Sequence, residues 1–288
     1  MSELVVSPQW AALDGEALQR TILVLGESDT GKSTLARYLF QEIARRGMRP
    51  AYLDSDMGQS TLGLPATLNL ALAQAAGDDE FPPGGPRASF FVGATTPRGH
   101  MLPTLVGCKR LQDRALALGA EAIVVDTNGL VERAQGGKAL KEWKIELLAP
   151  ALVIALQRGS EMEPILWPLR RDGRVRLLDF RVSPQAVRRS REQRIARRRE
   201  CLAAYVRQAR QHVVAMNRIA VYDLEYMAPS ALLALQDAEG FCLGLGVVQE
   251  IDRGAGSIAL RSPLPGMDRV ASIRFGPVRW DLAREIEL

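Results

Sequence analysis

The sequence predicts an α/β fold, a parallel sheet flanked by helices, carrying an Arg-rich helical lid and a small C-terminal β-rich module. Three observations predict it. Apolar β-rich runs alternate with helical patterns through the first two-thirds of the chain. A glycine-bounded loop, Gly26-Glu27-Ser28-Asp29-Thr30-Gly31-Lys32-Ser33-Thr34, joins an apolar strand to a helical pattern. Beyond Ala215 the helical spacing gives way to short apolar runs separated by turn residues.

In chain order, strands are expected at Thr21–Leu25, Ala51–Asp54, Ser89–Val92, Ala122–Asp126 and Leu152–Leu156. The first is followed by Leu35, Leu39 and Ile43 at helical spacing, so Lys32–Arg46 is read as a helix. Further helices are expected at Pro103–Leu118, Lys138–Leu148 and Pro184–Gln211. Gly77–Pro86, rich in Gly, Pro and acidic residues, is an exposed loop. Phe241–Val248, Gly256–Leu260 and Ala271–Phe275 are the strands of the C-terminal module. This divides the chain into an arm (1–19), a P-loop NTPase-like domain (20–212, its lid at about 184–211) and a β-rich domain (213–288).

The 288 residues are 47% hydrophobic and 24% charged, the balance of an ordinary globular protein with ample length for a core. No apolar run is long enough to span a membrane, and Met1-Ser2-Glu3-Leu4 does not open a secretory signal. Cys108, Cys201 and Cys242 are isolated, which suits a reducing cytoplasm. With only His100 and His212, a His-rich metal site and a Ser–His–Asp hydrolase are disfavoured.

Five constellations carry chemistry. In the loop, glycines let backbone N–H groups curl toward phosphate oxygens, Lys32 reaches the β- and γ-phosphates, and the Ser33 hydroxyl holds Mg²⁺. Asp54 and Asp56 end a strand expected beside the loop; one carboxylate would bind Mg²⁺ and the other take a proton from an attacking hydroxyl, unless one merely caps the turn. Asp126 closes the apolar run Ala122-Ile123-Val124-Val125, a Walker B arrangement near the metal; Thr127 and Asn128 either contact substrate or shape the turn. Arg188, Arg189, Arg191, Arg194, Arg197, Arg198 and Arg199 outnumber their acidic neighbours. They would stabilise charge on a transferring phosphoryl group or hold a polyanion, the alternative being a solvated helix face. Gly93–His100, with Thr96 and Arg98, is either a cleft-lining loop or a connecting turn.

Together these residues resemble the polynucleotide 5′-hydroxyl kinase family, which includes the kinase subunit of the eukaryotic pre-mRNA cleavage factor and the kinases of ribosomal RNA processing. Asp29 and Thr30 fit its loop form. Asp54-Ser55-Asp56-Met57-Gly58-Gln59-Ser60 with Pro65-Ala66-Thr67, Asp126-Thr127-Asn128-Gly129, Gly136-Gly137 and Lys144–Pro150 follow in its order, then Glu161–Pro164 and the arginines. The resemblance covers about residues 20–211. It implies Mg²⁺-dependent transfer of the γ-phosphoryl group of ATP or GTP onto the 5′-hydroxyl of RNA or DNA. It also implies Asp56 as the activator of that hydroxyl and Arg188 or Arg189 as the lid arginine, with Gln59 near the metal or acceptor. Leu130 stands where the cleavage-factor members have a base-stacking Trp, leaving Trp143 as an alternative platform.

Three rivals differ in their signatures. A regulatory GTPase normally reads guanine through Asn-Lys-x-Asp, which is absent; a nucleoside kinase needs less positive charge in its lid; and a decayed scaffold would lack some of Lys32, Ser33, Asp54, Asp56 and Asp126.

Overall fold

The computed structural model describes Trp10, Leu13, Leu18 and residues 20–287. The arm expected over 1–19 otherwise lies outside the described residues; Trp10, Leu13 and Leu18 are buried. The chain forms two compact units. One holds residues up to Asp56, Leu68–Ala88 and Pro97–Arg189; the other holds Met57–Thr67, Ser89–Thr96 and the chain from Ser190 onward.

One seven-stranded sheet, most of whose residues belong to the first unit, consists of β1 (Arg20–Gly26), β2 (Pro50–Ser55), β3 (Thr67–Leu72), β4 (Arg87–Phe91, with Ser89–Phe91 counted in the second unit), β5 (Ala122–Thr127), β6 (Leu152–Gln157) and β7 (Arg176–Arg181). Their order is β4-β3-β2-β5-β1-β6-β7. Strands β2, β5, β1, β6 and β7 run parallel, and β3 runs antiparallel to β2. The central runs AIVVDT and LVIALQ are buried throughout, as befits strands covered on both faces. Helices α1 (Lys32–Arg45), α2 (Met101–Ala117), α3 (Gly137–Leu148) and α4 (Glu163–Leu169) supply the covering layers. In α1, Leu35, Leu39 and Ile43 are fully buried, so the helical spacing read from the sequence is the core stripe.

The strand carrying Asp54 is not beside the loop strand, contrary to expectation. β5 lies between β1 and β2, because its six buried residues can pair with parallel neighbours on both edges. Strands β3 and β7 and helix α4 are additional to those read from the sequence.

The second unit contains α5 (Arg191–Arg207) and the strands β8 (Arg210–Ala215), β9 (Ala220–Tyr222), β10 (Ala231–Gln236), β11 (Cys242–Asp252), β12 (Ser257–Ser262), β13 (Ser272–Asp281) and β14 (Ile286–Glu287). They form a sheet in the order β14-β13-β10-β11-β12-β8, with β9 alongside β13. The helix expected from Pro184 to Gln211 is shorter at both ends. Ser190 caps it, its Oγ accepting from the Gln193 N–H while its own N–H donates to Gln193 Oε1. Beyond Arg207 the chain turns to pair with β12 as β8. Leu202 and Ala203 of α5 share a core with Leu232, Leu245 and Trp280, which is why the chain from Ser190 onward, and not only from about 213, belongs to this unit.

Candidate active site

The loop conformation follows from its residues. At Gly26 a Cβ would lie 2.6 Å from the Leu156 carbonyl oxygen, and Gly31 enters α1 at φ 89°, so both ends need glycine. Asp29 sits at φ 58°. Thr30 Oγ1 donates to the Glu27 carbonyl at 2.9 Å, and buried Lys32 donates to the same oxygen at 2.6 Å. Burial lowers the Lys32 pKa, while Asp126, Asp56 and Asp29 oppose that shift. Lys32 thus lies among carboxylates with its ammonium on the loop's own carbonyl.

Register places the carboxylates. Val24 of β1 is level with Asp126 of β5, which is level with Asp54 of β2. Asp54 and Asp126 are both buried. The Asp126 carboxyl is pushed up to about 7, chiefly by burial and then by the Asp54 charge, with Lys32 pulling the other way. Tyr52 donates to Asp126 Oδ2 at 3.1 Å, and Asp126 Oδ1 is buried with no hydrogen-bond partner among the described residues. The Asp56 N–H donates to Asp54 Oδ1 at 3.1 Å, so Asp54 also shapes the turn that carries Asp56.

Among the described residues no three His, Cys, Asp or Glu side chains gather into an all-protein metal cage. Hydroxyl and carboxylate oxygens from Ser33, Asp54 and Asp126 are nevertheless a hard donor set. Mg²⁺ characteristically takes one or two carboxylates and fills its remaining positions with phosphate and water. A partnerless carboxylate oxygen beside a second buried carboxylate fits such an ion.

Thr127 Oγ1 donates to the Val24 carbonyl at 2.8 Å, tying the end of β5 to β1. Asn128 is buried at the same strand end. Arg189 meets Asp29, its Nε lying 3.5 Å from Oδ1; Arg188 beside it is exposed. Arg98 is exposed in the turn before α2.

In the second unit, Gln59 Nε2 donates to the Arg194 carbonyl at 3.1 Å, and Arg197 donates to the Ser60 carbonyl at 3.2 Å. A cavity of about 370 Å³ is bounded there by Gly58–Pro65 and by Arg197, Arg198 and Cys201. Arg191 and Thr96 are exposed. The arginine run does find acidic partners: Arg198 lies 3.4 Å from Glu287 and Arg207 lies 2.8 Å from Glu285, supplied by the far end of the chain.

Three groups escape a linear reading. Arg158, directly after β6, donates to the carbonyls of Ser28 (3.4 Å) and Asp29 (2.5 Å), bracing the phosphate loop from outside. Lys141 and Lys144 are completely buried. Their signal is present in the sequence: both lie in helical phase with Leu140, Ile145 and Leu148, on the face that should be apolar. Trp143, between them, is 63% exposed on the solvent face.

A central β1 ending in this loop, with carboxylates on the flanking parallel strands, defines a P-loop nucleotide-binding protein. A family model described as mRNA cleavage and polyadenylation factor CLP1 P-loop matches residues 26–208, and the chain belongs to that family. It is 28% identical to the polyribonucleotide 5′-hydroxyl-kinases of Pyrococcus abyssi and Methanocaldococcus jannaschii, the alignments covering 90% of this chain and 87% of each relative. Over a shorter stretch, 30% of this chain and 20% of the relative, it is 39% identical to polyribonucleotide 5′-hydroxyl-kinase Clp1 of Xenopus laevis. The fold matches that of the wild-type Clp1p–Pcf11p complex structure with a TM-score of 0.66 at 12% identity, covering 90% of this chain and 74% of that one.

Proposed function

We propose that the protein is a polynucleotide 5′-hydroxyl kinase, moving the γ-phosphoryl group of ATP or GTP to the 5′-hydroxyl of RNA, with DNA ends as further acceptors. The observation that carries this reading is Lys32 set among Asp29, Asp56 and Asp126 at the carboxyl ends of the parallel strands β1, β5 and β2. The archaeal relatives, similar over nearly their whole length and named for this activity, support it.

In this reading the loop Gly26–Thr34 cradles the phosphates and Lys32 bonds the β- and γ-phosphates. Ser33, Asp54 and Asp126 would hold Mg²⁺, which screens phosphate charge when bound. Asp56 accepts the proton of the attacking hydroxyl, while Arg188 and Arg189 balance charge on the transferring group. Gln59, Thr96, Arg98, Arg191 and Arg194 serve the acceptor strand. Among the described residues no helix is long and apolar enough to cross a membrane, which suits a cytoplasmic enzyme acting on RNA ends.

The test is transfer of labelled γ-phosphate to a 5′-hydroxyl oligoribonucleotide, with nucleosides and a 5′-hydroxyl oligodeoxyribonucleotide as competing acceptors. Labelling of the oligonucleotide supports the proposal. Labelling of nucleosides alone sinks it.

A further inference from the structure

Asn128 stands two residues beyond Asp126, at the carboxyl end of β5, and is only 3% exposed. Its Oδ1 accepts two hydrogen bonds, from Lys141 Nζ at 3.1 Å and from the Leu130 N–H at 3.2 Å. That fixes the amide's orientation, since a flip would set an NH₂ group against the Leu130 N–H, which cannot accept. The Nδ2 group must then donate elsewhere, yet it is buried with no hydrogen-bond partner among the described residues. Buried amide donors are almost always satisfied, so a partner that arrives with a ligand is the natural complement.

The lysine holding this amide is itself unusual. Lys141 is completely buried and also donates to the Asn128 carbonyl at 2.5 Å, gripping the residue at main chain and side chain. One helical turn on, buried Lys144 donates to Ser55 Oγ at 2.9 Å, and that hydroxyl donates to the Asp126 carbonyl at 2.7 Å. Two buried lysines of α3 thus brace the end of β5. The next residue sets the location: a Cβ at Gly129 would lie 2.5 Å from the Ser28 nitrogen, so the chain at 128–129 presses against the phosphate loop.

We propose that Asn128 donates through Nδ2 to an oxygen of the terminal phosphoryl group of a bound nucleoside triphosphate, and that Lys141 is the positioning residue that holds the amide in that orientation. The terminal group is the one at issue because Asp126, two residues earlier, shares its field with Lys32, whose place is at the β- and γ-phosphates. The inference rests on the reading of Gly26–Thr34 as a triphosphate site and is independent of the acceptor. It predicts a preference for triphosphate over diphosphate that is set outside the loop.

Calorimetric titration of the full-length protein with the β,γ-imido analogue of ATP and with ADP tests it, the guanosine pair being run in parallel. Asn128→Asp keeps an acceptor for Lys141 but loses the donor. It should weaken the triphosphate analogue by about tenfold, the scale of one hydrogen bond to a charged oxygen, while ADP binding stays nearly unchanged. Lys141→Met should move the same ratio in the same direction, whereas a lysine that only supports the fold would weaken both ligands together. Asn128→Ala provides a second variant should the aspartate misfold. A triphosphate-to-diphosphate ratio unchanged in both Asn128 variants overturns the inference and leaves the loop's role standing. A ratio lost in Asn128→Asp but kept in Lys141→Met overturns the positioning role. Wild-type protein that binds neither nucleotide overturns the triphosphate site and this inference with it.

Discussion

Arg189 and Asp29, 160 positions apart in the chain, are joined: the Arg189 N–H donates to Asp29 Oδ2 at 3.0 Å, and its guanidinium Nε lies 3.5 Å from Oδ1. The contact attaches the start of the arginine-rich segment to the phosphate loop. It also explains an aspartate at φ 58° in the loop's middle, where the carboxylate is turned toward the arginine and is 7% exposed.

Because the main-chain bond survives in Arg189→Ala, that variant isolates the guanidinium. Its kcat should fall by roughly a hundredfold, the range for a group that stabilises transition-state charge, with nucleotide affinity nearly unchanged. Steady-state kinetics beside an equilibrium titration separate the two, and Arg188→Ala runs as its companion. Wild-type kcat in both variants removes the lid role.

Asp56→Asn should lower transfer by roughly a hundredfold or more, the scale of a lost general base. Nucleotide binding should persist, since Asp54 and Asp126 remain. Loss of nucleotide binding instead would reassign Asp56 to the metal.

Arg158→Ala takes away the donors to the Ser28 and Asp29 carbonyls without touching a catalytic group. The loop loses its outer brace, and nucleotide KM should rise by about tenfold with kcat less affected. Initial rates over a nucleotide series are the measurement; a kcat effect without a KM effect contradicts the bracing role.

Leu202→Ala empties a fully enclosed site between α5 and the second sheet. Unfolding in urea should show a loss of about 2–5 kcal/mol, the range for buried leucine truncation. A loss well below that range would show that α5 does not pack there in solution.

Arg170 and, second, Gln157 hold the Glu163 carboxyl down at about 2, against an ordinary value of 4.5. A depressed carboxylate stabilises the fold fully above the unfolded pKa and loses that contribution as pH falls toward the folded one. Stability should therefore drop between about pH 5 and pH 2, and Glu163→Gln should flatten that acid limb in melting curves recorded across the window.

Much of the first unit was legible because its central strands are continuous apolar runs and its loop is spelled by neighbouring residues. The strands β1, β2, β5 and β6 were read close to their observed limits. Strand β7, RLLDFR, escaped because an edge strand with arginines at both ends has little apolar content. The overlong lid helix shows the converse. The helix starts only at the Ser190–Gln193 cap, which was not read in advance, and Arg210–Ala215 became a strand only through pairing with Ser257–Ser262. Of the site, Lys32, Ser33, Asp54, Asp56 and Asp126 could be named from motifs. Lys141 and Lys144 left only an indirect signal, their phase on the face of α3 that should be apolar, and Arg158 left none, since what marks it is where its side chain ends.

The sequence by itself determined the phosphate loop, because its shape depends on glycine conformations and hydrogen bonds spanning a few residues. It also determined the parallel class of the central sheet, through strands apolar on both faces. Only the tertiary structure decided that Asp126 lies beside the loop strand with Asp54 one strand further out, that two lysines are buried behind Asn128, and that Arg189 closes on Asp29. Those are long-range relationships: burial and strand order depend on which distant segments share a core, and no local pattern records that choice.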